Sequence, residues 1–236
     1  MSSSATLASV QNRRWRVFGS TAELEAAAAK AILDIAGEAT ARRRAFHLVL
    51  AGGTTPRRVY ELLRVADTDW SVWHVYFGDE RCLPADDPER NSLMAAQAWL
   101  DHVAIPRDQI FPIPAERGAE AAATAYAAAV SEIESFDLVL LGLGEDGHTA
   151  SLFPNRVHSD DAATVAVFDA PKPPPQRVSL GARRLGAARH VVFLVTGAAK
   201  RQAVMDWRNG LPIPAAEIRP AAGVDIYIDA QLDAMA

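Results

Sequence analysis

FDLVLLGLGEDGHTASLFP, residues 136–154, joins a short apolar run to a glycine-rich polar turn. Leu138 to Leu141 is too short to span a bilayer and is bounded by turn residues, so it reads as a fully buried strand. The chain then turns through Gly142, Gly144 and Gly147, where a missing Cβ permits positive φ and lets a ligand come close. Thr149 is placed to cap a short helix expected to begin at Ala150. Glu145, Asp146 and His148 would then sit at the carboxyl end of a central strand, where open α/β sheets bind ligands. An imidazole there exchanges protons near neutral pH, and Asp146 is placed to orient it and fix its tautomer. A lone loop histidine is more often only solvated, so the rest of the chain has to decide.

Moving outward, Trp15 to Phe18 reads as a first strand, followed by a helix from Ala22 to about Glu38 capped by Ser20 or Thr21. The arginines at 42, 43 and 44 read as a solvated basic run without a role. Phe46 to Leu50 is a second strand, followed by Ala-Gly-Gly-Thr-Thr-Pro. Gly52 and Gly53 turn the chain, Thr54 or Thr55 caps a helix, and Pro56 suits its first turn. Backbone amides, two hydroxyls and a helix dipole together describe a phosphate cradle. The Gly-Lys-Ser/Thr ending of a P-loop is absent.

Val72 to Phe77 is the next strand. Asp79, Glu80 and Arg81 follow it, with Arg81 suited to a phosphate and Asp79 to holding Arg81 in place. Ser92 to Leu100 and Gly118 to Glu134 read as helices, and Ile105 to Pro114 as irregular. Beyond residue 154 the chain is polar, then Thr164 to Phe168 suggests a strand. A proline run leads through Arg177 into another at Val178 to Leu180. His190 to Thr196 is a strong buried strand ending at Gly197. Ala198 to Arg208 reads as helix with Lys200 in its first turn, where a cation opposes the helix dipole and so suggests an anion nearby. Val224 to Ile228 is the last strand.

About seven strands alternating with helices argue an α/β protein with a doubly wound, mostly parallel sheet flanked by helices. One domain over residues 1–236 is expected, with the first fourteen residues left room to be flexible. Parallel strands would gather the loops at Gly52, Asp79, Gly144 and Gly197 at one sheet edge. The net charge of −5 argues against a broad nucleic-acid surface. The single cysteine, Cys82, cannot form an intrachain disulfide and reads as an inert thiol. No apolar run suits a signal peptide or membrane span, so a cytoplasmic protein off the membrane is expected. A monomer, at most weakly self-associating, is expected.

Gly142 to Gly147 also matches the dinucleotide pattern G-x-G-x-x-G. Pro154 and the polar residues after it leave no room for the long helix that pattern needs, which argues against a nicotinamide or flavin site. No metal-ligand motif and no nucleophilic-serine elbow is present. What remains is an anion site from Arg81, Lys200 and the Gly52–Thr55 turn, facing a general base at His148. That chemistry suits a hydrolase or isomerase of a small phosphorylated metabolite.

Four blocks in order, LAGGTTPRRVYELL, YFGDERCLPADDPERN, FDLVLLGLGEDGHTASLFP and VTGAAKR, together with PPPQRVSL, resemble the 6-phosphogluconolactonase family from Leu50 to Arg201. The resemblance implies hydrolysis of 6-phospho-D-glucono-1,5-lactone to 6-phosphogluconate, a small-molecule sugar-phosphate lactone as ligand, and no cofactor. It implies the Rossmann-like fold shared with glucosamine-6-phosphate deaminase and ribose-5-phosphate isomerase. By position it makes His148 the base that activates water, and Arg81 and Lys200 the phosphate ligands. The phosphate would dock on Gly52, Gly53, Thr54, Thr55, Arg81 and Lys200. The amides of the Gly144–His148 turn, Gly147 among them, or Arg177 would stabilise the oxyanion. Ala51 and Thr54 stand where many members carry serines. Two alternatives stay open: an amino-sugar phosphate deaminase or isomerase on the same fold, and a non-catalytic sensor of sugar phosphates.

Overall fold

The computed structural model describes residues 11–156 and 161–233. Apolar strands buried on both faces demand a parallel sheet covered by helices. That is what forms around β1 (Arg13–Phe18), β2 (Phe46–Leu50), β3 (Trp73–Phe77), β5 (Ile110–Phe111), β6 (Phe136–Leu141), β9 (Ala188–Val195) and β10 (Val224–Asp229). These seven pair in parallel in the order β1-β10-β9-β6-β2-β3-β5. The chain reverses its direction of travel between β2 and β6, and that switch point opens the crevice at their carboxyl ends.

The flanking helices are α1 (Thr21–Arg43), α2 (Thr54–Leu63), α3 (Asn91–Ala98), α4 (Ala119–Ala129), α5 (Ala182–Gly186), α6 (Arg201–Arg208) and α7 (Ala230–Asp233). Ser20 caps α1 through the Glu23 amide, and Glu23 reaches back to the Gly19 amide. The core on α1 consists of Leu24, Ala28, Ile32, Ala36 and Ala39, the spacing of one helix face. Trp73, Trp99, Tyr60 and Phe46 fill one end of the core, and Phe193 meets Trp207 edge-on at 4.7 Å in another.

Several expectations need correction. The first strand begins at Arg13, and residues 11–14 are held in place. Gln11 is buried and donates to the carbonyls of Ala215 and Ile218, while accepting from Trp207 Nε1. Residues 1–10, and residues 157–160 of the polar stretch after Pro154, lie outside the described residues. Helix α1 runs past Glu38 to Arg43, because Ala39 still has core to bury, and stops at Arg44 in the left-handed region. Arg42 and Arg43 thus occupy its last turn, where cations favour the dipole. Arg43 is no idle surface charge, since it pairs with the buried carboxylate of Asp137. Helix α4 ends at Ala129, five residues before Glu134.

The strands expected at Thr164 and Val178 do not join the main sheet. They are β7 (Thr164–Val167) and β8 (Arg177–Leu180), antiparallel partners in a second sheet of order β4-β8-β7. Its third member, β4 (Asp79–Arg81), lies where a loop was expected. The two-residue β5 interrupts the segment read as irregular. No helix begins at Ala150. The Thr149 hydroxyl instead donates to the Gly142 carbonyl at 2.9 Å, and Thr149 pairs back onto Leu152 in a tight turn.

Candidate active site

Four loops at the carboxyl edge of the sheet are pinned by polar side chains. Buried Tyr60 donates to the Ala51 carbonyl and accepts from the Ala51 amide, both at 2.9 Å, which fixes the end of β2. Tyr126 does the same for Phe77 at the end of β3. Asp229 accepts from the Gly197 amide after β9, and the Thr149 hydroxyl closes the loop after β6. A cavity of about 470 Å³ lies among these loops. That is room for a sugar phosphate.

Of the residues singled out in the sequence, the cavity is lined by Gly52, Gly53, Thr54, Thr55, Asp79, Arg81, Gly144, His148, Arg177 and Lys200. Asp146 and Gly147 stand behind it. On one wall is the start of α2. Its cap position is Gly53, at φ 108°, and no side chain satisfies the first amides. Neither threonine caps the helix, contrary to expectation. Thr55 Oγ1 lies 2.7 Å from Thr196 Oγ1, so the amides of the first turn remain available to an anion.

Asp79 does not hold Arg81. Its carboxylate accepts from Asn91 Nδ2 at 3.1 Å and from Ser151 Oγ at 2.6 Å. Arg81 instead donates through Nη1 to the Glu89 carbonyl, and its buried Nε has no partner among the described residues. Arg81 faces Arg177 directly across β4 and β8. The Arg177 guanidinium is locked by the carbonyls of Lys172, Pro173 and Pro174. Burial pulls its pKa down, Arg81 adds to that, and Asp79 opposes it. Lys200 is likewise pulled down by burial, partly offset by Glu145.

His148 Nδ1 lies 2.5 Å from Asp146 Oδ1, and the His148 amide donates to the same oxygen at 3.1 Å. A carboxylate only accepts, so Nδ1 carries the proton and Nε2 presents its lone pair. Burial opposes ionisation of Asp146, but the bonds from the His148 ring and amide outweigh it and hold the carboxyl below its usual range. The ring packs against Phe153 at 4.8 Å, and Arg177 lies over the same phenyl at 5.7 Å. Phe153 thus spaces the base from a fixed cation. Cys82 is half-buried and its thiol is pushed up by burial. Among the described residues no three His, Cys, Asp or Glu side chains converge as metal ligands, and no helix is long and apolar enough to cross a membrane.

Asn91, Thr196, Ser151, Phe153 and Lys172 were missed in the sequence. Lys172 had a signal, since it stands in the proline block beside Arg177. Asn91 and Ser151 had none, because their partner Asp79 is distant in the chain.

The fold and site define a doubly wound α/β protein with an imidazole, Arg81, Lys200 and the uncapped start of α2 around one cavity at its switch point. The family described as glucosamine-6-phosphate isomerases/6-phosphogluconolactonase matches residues 19–227, and the chain belongs to it. It is 38% identical over 219 residues to the 6-phosphogluconolactonase of Mycobacterium leprae, covering 85% of this chain and 89% of that protein. The solved 6-phosphogluconolactonase of Trypanosoma brucei superposes with a TM-score of 0.86 at 28% identity, covering 96% of this chain and all of that one. A monomeric glucosamine-6-phosphate deaminase superposes with a TM-score of 0.82 at 20% identity, covering 94% and 100% of the two chains, which shows the shared fold.

Proposed function

We propose that this chain hydrolyses 6-phospho-D-glucono-1,5-lactone to 6-phospho-D-gluconate, the lactone step of the oxidative pentose phosphate pathway. The observation that carries this reading is the Asp146–His148 pair, backed onto a cavity that also holds Arg81, Lys200 and the open amides of α2. The relatives named 6-phosphogluconolactonase support it.

In this reading the phosphate docks on the Gly52–Thr55 turn, Arg81 and Lys200. Nε2 of His148 takes a proton from water as its oxygen bonds to the lactone carbonyl carbon. The amides of Gly144, Gly147 and His148 are already spent inside their turn. We assign the oxyanion to Arg177, whose guanidinium is fixed before the reaction and needs no reorganisation. The carbon–ring oxygen bond then breaks, and protonated His148 returns its proton to the leaving oxygen. The new carboxylic acid loses its own proton to solvent.

The test is a coupled assay on freshly generated lactone, corrected for spontaneous hydrolysis. His148→Ala is expected to lose about 10²–10⁴ in kcat, the usual share of a general base, while its affinity for 6-phosphogluconate stays close to the parent's. A fully active variant removes the histidine from the mechanism. A parent protein no faster than the uncatalysed reaction removes the function, and ammonia release from glucosamine 6-phosphate would replace it with a deaminase.

A further inference from the structure

Lys172 and Glu145 pair beside the cavity. Lys172 comes from the loop that precedes β8, and Glu145 from the turn that carries His148. Their charged atoms lie 3.4 Å apart, with side chains 58% and 52% exposed. Lys172 lines the cavity. Its own carbonyl is held by Arg177, so its backbone stays in place while the flexible stem moves. Lys200 feels both partners, since Lys172 lowers its pKa beyond the effect of burial and Glu145 raises it.

An exposed ion pair is weak and easily exchanged. A phosphate offers a lysine a stronger, charge-assisted contact. Asp146 is engaged with His148, whereas Glu145 pairs with Lys172. We propose that this pair sorts ligands by charge: Lys172 turns from Glu145 to an incoming phosphate, and Glu145, then unpaired, repels the carboxylate that hydrolysis creates. The inference rests on the lactonase reading for where that carboxylate appears. Water attacks the carbon nearest His148, so the added negative charge arises beside the 145–148 turn and hastens departure of the product.

Calorimetry with 6-phosphogluconate and with glucose 6-phosphate, which has the phosphate but no carboxylate, tests it. Glu145→Gln is expected to tighten both ligands slightly by releasing Lys172, and to tighten 6-phosphogluconate by up to about fivefold more than glucose 6-phosphate, the upper end for exposed charges. Salt at about 1 M should erase the difference. Lys172→Gln should weaken both ligands alike. Equal shifts for the two ligands with Glu145→Gln, or no shift, overturn the repulsion. Unchanged binding with Lys172→Gln overturns the handover. Binding is measured without turnover, so a parent that binds both ligands yet hydrolyses no lactone sinks the functional reading and not the charge sorting.

Discussion

A methyl group on residue 144 would overlap Nδ1 of His148, the atom that meets Asp146. The glycine is there for that close approach. Gly147 answers a different need, because its φ of 83° and its packing against Ile213 suit no side chain. Gly144→Ala should therefore push the imidazole off its carboxylate while leaving the fold intact, since a side chain can yield where backbone cannot. We expect kcat/KM on the lactone to fall about 100-fold, the scale for a misplaced catalytic group, with the urea midpoint near the parent's. Undiminished turnover would show that the ring works from another position.

The strands do more than carry loops. Strand β6 ends in the His148 turn, yet its second residue, Asp137, is a buried carboxylate at the opposite edge of the sheet. It accepts from the His47 amide at 2.9 Å, pairs with Arg43 at the end of α1, and lies 3.4 Å from Arg189 on β9. One side chain thus ties α1, β2, β6 and β9 together. Asp137→Asn keeps the shape and loses the charge, and should cost about 1.5–3 kcal/mol of stability, the range for hydrogen bonds to a charged group. The site lies about 15 Å along the strand, so kcat/KM should not move. Urea unfolding together with steady-state kinetics separates the two effects, and an equal fall in activity would contradict this division between the two ends of the strand.

For the molecule as a whole, the stacked imidazoles of His47 and His74, 4.7 Å apart on neighbouring strands, make stability depend on pH. Burial lowers both pKa values. For His47 the neighbouring His74, Arg43 and Arg184 add to burial and Asp137 opposes it, and for His74 Asp108 opposes it. Between the lowered folded values and the ordinary value of 6.5, the unfolded chain binds more protons than the folded one. Stability therefore rises with pH through that window, levels off above it, and falls on acidification. Thermal unfolding followed from pH 5 to 8 should show this slope, and His74→Gln should flatten it. A slope unchanged in that variant would assign the effect to other groups.

Much of this was legible in order along the chain. Apolar runs marked β2, β3, β6, β9 and β10, because burial on both faces leaves a continuous signal. Gly52, Asp79, Gly144 and Gly197 all stand just after such runs, so parallel strands alone were enough to bring their loops to one edge. Two kinds of feature were not legible. One is the fate of short segments: β7 and β8 are as strand-like as the rest, but only pairing decides that they leave the main sheet, and Asp79–Arg81 becomes a strand only through its pairing with β8. The other is who holds whom. Asp79 was matched with Arg81 two residues away, yet it binds Ser151, which is 72 positions distant. Thr149 looked like a helix cap and instead closes its own loop on Gly142. The sequence alone determined which apolar runs form the buried strands and which loops share an edge, because periodicity and turn chemistry act between near neighbours. The tertiary structure alone decided the partners of each polar side chain, because hydrogen bonds form between groups close in space and carry no mark at the separation where they meet.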